Sequence, residues 1–106
     1  MSGSEPSIAG MGIPWYRREE YGALRASFPD RDQMHDTFDE WLGDVTRIER
    51  TMKDRGLRTL RVLIDAKSFP KWCQENGLPL DSKSRSRYAA DQARRFFTSE
   101  ESNPTK

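Results

Sequence analysis

Apolar residues recur at two different periods along this 106-residue chain, and the change of period marks its elements. Between Thr37 and Gly56 the spacing alternates between three and four. Phe38, Trp41, Leu42, Val45, Ile48 and Met52 share one face, an apolar stripe of about four helical turns. Thr37 stands as N-cap with Glu40 three residues on, the capping-box pattern. Asp36, Asp39, Glu40 and Asp44 gather at the start, and Arg47, Arg50, Lys53 and Arg55 at the end, both matching the helix dipole. Gly56 supplies a left-handed closing residue.

From Arg58 to Asp65 the period becomes two. Leu60, Val62 and Ile64 face one way, and Thr59, Arg61 and Leu63 the other, which predicts a strand over 58–65. No other stretch carries a comparable strand pattern. A lone strand leaves its backbone groups without partners, so either the N-terminal segment around Ile13 to Tyr16 or a second subunit pairs with it. Asp65 or Ser68 caps the short helix that follows. Its Phe69, Trp72 and Cys73 take the i, i+3, i+4 positions of a buried face, and Pro70 falls in the first turn. Gly77 and Pro79 end it.

Two further helices flank this centre. One runs from about Arg17 to Ser27 with Tyr21, Leu24 and Phe28 on a face, stopped by Pro29 and followed by a polar turn over 29–33. The other opens at Asp81 or Ser82 and runs to about Phe97, with Ala89, Ala93, Phe96 and Phe97 as its apolar stripe and Tyr88 alongside. Residues 1–12, rich in Gly and Ser, read as a flexible tail, 98–106 as a disordered polar tail, and 13–97 as a single globular domain. The fold class is α+β, mostly helical: about four helices around one short strand whose partner is the N-terminal segment or a second subunit.

Composition bounds what such a domain does. Hydrophobic residues make up 34% and charged residues 33%, with a mean hydropathy of −0.94, so the core is modest. Three Trp, five Phe and three Tyr compensate, because rings bury much apolar area per ordered residue. A net charge of +1 sets up no field that draws the protein onto nucleic acid or an anionic membrane. The longest apolar run, Val62-Leu63-Ile64, is too short for a membrane span, and the start Met1 to Pro6 lacks the pattern of a secretory signal. A single cysteine forms no intrachain disulfide, which points to a reducing cytoplasm.

The chemistry-bearing residues are few. Cys73 is the one possible thiol nucleophile, with Lys67 and Lys71 close in sequence, yet its spacing places it on a core face. His35, the only histidine, has no metal-ligand spacing around it and belongs to the surface. Asp36, Asp39, Glu40 and Asp44 could converge for acid–base work or a cation, but acids at a helix start have an ordinary stabilising role of about 0.3–1 kcal/mol each. Lys83, Arg85, Arg87, Arg94 and Arg95 against Asp81 and Asp91 make the last helix locally basic, a candidate phosphate-binding face or a solvated one. Trp15, Tyr16 and Trp72 are potential interface anchors that in so small a domain belong to the core.

The run Val62 to Pro79, in which a strand ends in Asp and leads through Phe69, Trp72-Cys73 and Gly77-Leu78-Pro79, resembles a family of small uncharacterised bacterial proteins. Thr37 to Leu42 and Pro14 to Tyr21 fit the same pattern, so the resemblance spans roughly 13–97. It implies no activity and no site residues. With no catalytic, cofactor-binding or metal residues to assign, the expected function is non-enzymatic: protein–protein interaction or self-association, as a homodimer or with another protein partner. Weak nucleic-acid binding through the last helix is one alternative. An enzyme using Cys73 or the acidic helix start is another.

Overall fold

A strand of period two needs a neighbour, and the N-terminal segment supplies it. The computed structural model describes residues 10–102, with side chains described through Ser99. In it, β1 (Gly10–Trp15) pairs in parallel with β2 (Arg58–Leu63), Ile13 opposite Arg61. The ladder continues one residue further, where the Ile64 amide donates to the Trp15 carbonyl at 2.8 Å. Asp65 then leaves the strand and turns its carboxylate onto the amides of Lys67 and Ser68, so the strand ends at Leu63 rather than at Asp65.

Parallel strands require a long crossover, and α1 (Arg18–Ser27), a 3-10 turn (Arg31–Gln33) and α2 (Phe38–Asp54) provide it. Thr37 caps α2 as its sequence predicts, its hydroxyl accepting from the Glu40 amide at 3.1 Å. Past β2 come α3 (Ser68–Glu75) and α4 (Ser82–Ser102), with the Asp81 carboxylate accepting from the Ser84 amide at the start of α4. Gly56 and Gly77 close α2 and α3 with φ of +82° and +65°, the conformation the sequence assigns them.

Alternation along the strands divides this chain into layers. Met11, Ile13 and Trp15 share a face with Thr59, Arg61 and Leu63, and there α2 packs: Trp15 meets Trp41 edge-on at 5.1 Å, and Arg61 pairs with Glu49 at 2.8 Å. Gly10 and Gly12 share the other face with Leu60 and Val62, and there α4 packs. The architecture is therefore α+β, mostly helical, with the small sheet between two helical layers.

Three boundaries differ from those read in the sequence. Gly10 to Gly12 belong to β1 and not to a tail, because these glycines mark a close approach. A Cβ on Gly12 would overlap the Ala89 carbonyl, and one on Gly10 the Phe97 ring. The rest of that expected tail, residues 1–9, lies outside the described residues. At the other end α4 continues past Phe97 to Ser102, since nothing breaks a helix before Pro104; residues 103–106 lie outside the described residues. Along α4 the stripe is narrower than expected. Ala89 and Ala93 are buried and Phe97 covers Gly10, but Phe96 points outward.

Gly12→Ala tests the close approach directly, because Gly12 has no positive φ and only space forbids a side chain. Overpacking of this kind costs about 1–3 kcal/mol or more, so the melting midpoint followed by circular dichroism should fall by at least about 5 °C. An unchanged midpoint would show that α4 sits farther from β1.

Candidate functional site

Among the described residues, the pairing of β1 and β2 leaves the other edge of β1 open, and its backbone geometry says which groups it presents. Because the Trp15 carbonyl is taken by Ile64, the polar backbone groups of Trp15, Ile13 and Met11 point to β2. Those of Gly10, Gly12 and Pro14 point the opposite way. Pro14, which has no amide hydrogen, thus stands where no ladder bond to β2 is lost.

A groove of about 600 Å³ runs along this edge. Five consecutive residues, Gly10 to Pro14, line it, which only a strand edge permits, since successive side chains point to opposite faces. One wall is the apolar stripe of α2: Trp41, Val45, Ile48 and Met52. The other is the near side of α4: Ser82, Arg85, Ser86 and Ala90. Met34 and His35, after the 3-10 turn, line it near Tyr16 and Tyr21. Among the described residues, two of the three large apolar side chains that remain exposed, Met11 and Ile48, belong to the groove.

Arg85 anchors α4 beside it. The residue is 5% exposed, and its guanidinium donates to both carboxylate oxygens of Asp30, at 3.0 and 2.7 Å, while lying over the Phe28 ring at 4.7 Å. These hydrogen bonds hold the Asp30 carboxyl below its usual range against the penalty of burial. Tyr16 lies against the same pair; burial pushes its hydroxyl up to about 12, Arg85 pulling the other way. The sequence offers Arg85 as a phosphate contact, and the structure corrects this: the side chain is buried and already paired. Arg94 and Arg95 both turn to Asp91, leaving Lys83 and Arg87 as the exposed bases of that set with no ion pair among the described residues.

The other candidates are scattered. Asp36 pairs with Arg25 at 3.0 Å, Asp39 with Arg18 at 2.9 Å, and Asp44 with Arg47, so the acidic helix start divides among separate cations. His35 is exposed, 3.6 Å from Asp44, and its carbonyl accepts from the Tyr21 hydroxyl at 2.6 Å. No group of three or more His, Cys, Asp or Glu that could hold a metal ion occurs among the described residues. Cys73 is 1% exposed, its thiol pushed up by burial and by the charge of Asp81. Tyr16 is core; Trp15 and Trp72 are half-buried, Trp15 beneath Arg61 at 4.0 Å and Trp72 against Tyr88 at 5.3 Å. The sequence misses Met11 and Ile48 as groove residues, because one lies in an apparent tail and the other in an apparent core stripe. Only the proline inside β1 signals an edge in advance.

A family model described as Domain of unknown function (DUF8829) matches residues 16–99. Neither a curated protein nor a solved structure matches the chain. No helix among the described residues is long and apolar enough to cross a membrane.

Asp30→Asn should lower stability by about 3–5 kcal/mol, since it leaves Arg85 buried without its counter-charge. The carboxyl of Asp30 is depressed in the fold, so its contribution is complete above the unfolded carboxylate pKa of about 3.9 and is lost as pH falls through the folded value. Thermal melts from pH 7 to pH 3 should therefore show a shallower acid slope in the variant than in the parent protein; parallel slopes would contradict the pairing. Cys73 offers a second check. A thiol reagent should leave the native protein unlabelled over hours and titrate one thiol at once in denaturant, and rapid native labelling would place Cys73 at the surface.

Proposed function

The chain belongs to the family described as Domain of unknown function (DUF8829), and from that premise we propose that it is a non-enzymatic binding protein whose receptor surface is the groove along β1. One observation carries the reading: a strand edge unpaired among the described residues lies open between an apolar and a hydroxyl-bearing helix wall. Such an edge supplies hydrogen bonds for a peptide backbone, and the walls supply pockets for its side chains. The exposure of Met11 and Ile48 at this place is the pattern of a contact surface and not of a closed core. Methionines suit the role because the thioether adapts to differing partners, and Met11, Met34 and Met52 all line the groove.

In the same reading the protein works in a reducing cytoplasm, which its single buried thiol favours. The nucleic-acid alternative loses its central arginine to Asp30, and two others to Asp91.

Panning of phage-displayed random heptapeptides tests the proposal. Ser86→Trp, which places an indole in the groove from a surface-exposed helix position, serves as counter-selection once its fold has been verified by circular dichroism. The parent protein should enrich a related set of sequences that the Ser86→Trp protein fails to retain. Enrichment that is equal on both proteins, or no enrichment, would overturn the assignment of the groove.

A further inference from the structure

We infer that the occupant of the groove is a short extended segment of a partner protein, apolar at every second position and small between, which adds to the sheet as a third strand beside β1. This rests on the binding role proposed above and goes on to name the partner's chemistry.

Three features define it. The first is the backbone. Gly10 and Gly12 present amides and carbonyls to the groove, while Pro14 presents a carbonyl alone, so an incoming strand is bonded at Gly10 and Gly12 and accepts nothing at Pro14. A helix offers no free backbone groups to such an edge, and an extended chain does.

The second is the difference between the walls. A strand lying beside β1 sends alternate side chains toward α2 and toward α4. Those aimed at α2 meet Val45, Ile48 and Met52 and are apolar. Those aimed at α4 meet Ser82, Ser86 and Ala90, short side chains that suit small or hydroxyl-bearing residues. The match is to a segment that alternates an apolar residue with a small one.

The third is size. A second copy of this chain is a poorer occupant. An edge of six residues offers only a fraction of the roughly 800 Å² per partner of a standard interface, and two recessed edges do not meet without a gap.

Defined peptides decide the question by fluorescence titration, with Trp41 in the groove as reporter. The probe is an octapeptide of alternating valine and serine. Controls carry a scrambled order with the valines adjacent, or N-methyl groups on alternate amides of the central residues. The alternating peptide should bind saturably, and weaken at least tenfold with the scrambled order and with N-methylation in one of its two alternate registers only. Ser86→Trp should abolish the binding. Equal affinity across the peptides, or no binding up to millimolar concentration, would overturn the inference. Sedimentation showing a dimer that Ser86→Trp dissociates would also overturn it, by making a second copy the occupant. If panning has already returned sequences of another pattern that depend on the groove, the binding role stands and only the extended alternating ligand falls.

Discussion

The close seating of α4 on β1 is the constraint on which the rest of the molecule depends. A two-stranded parallel sheet has little stability of its own, because each strand keeps one unpaired edge and two faces that need cover. Here Gly10 and Gly12 remove side chains where α4 crosses, and Ala89 and Ala93 keep theirs short, so the Gly12 backbone meets the Ala89 backbone and Gly10 meets the Phe97 ring. That contact holds β1 against β2, and it sets the position of every α4 residue on either side. Ser82, Ser86 and Ala90 fall beside the open edge because Ala89 and Ala93 are pinned beneath it.

Around that contact the aromatic rings form two groups. Trp15, Tyr16, Tyr21, Phe38 and Trp41 pack together on the α2 side. Phe28, Phe69, Tyr88 and Trp72 form a chain on the α3 and α4 side. The Asp30–Arg85 pair lies where they approach one another, with Tyr16 from the first group and Phe28 from the second in contact with the guanidinium. A buried ion pair contributes little net stability compared with apolar side chains of equal volume, but it penalises every arrangement in which either charge loses its partner. It links residues 55 positions apart in sequence and so fixes the crossover loop to the start of α4.

Much of this fold is legible in the sequence, and the parts that are not share a physical reason. Elements announced by period or by local chemistry stand where the pattern puts them: the Thr37 cap, the α2 stripe, the glycine closures at Gly56 and Gly77, the cap by Asp65. What escapes is information carried by a partner distant in sequence. Glycines at 10 and 12 have the composition of a tail until Ala89 and Phe97 are known to lie against them. Asp30 has the appearance of a turn residue and Arg85 of a surface base until their pairing is seen. Ile48 belongs to an apolar stripe whose width, set by how far α4 leaves β1 uncovered, decides whether it is core or groove. The groove is legible only in one particular: a proline in a strand must face an unpaired edge.

That proline, and the depth at which it sits, have a consequence for the protein in a crowded solution. Open strand edges recruit one another into extended sheets, and a short polar chain with a parallel pair would be exposed to that hazard. The edge of β1 lies between α2 and α4, so another folded sheet would have to bring its rim between those two walls to reach it. Pro14 then breaks the run of donors, so that a strand which does enter cannot propagate an unbroken ladder. In the reading proposed for the groove, the geometry that leaves an edge available also works against fibrous self-assembly.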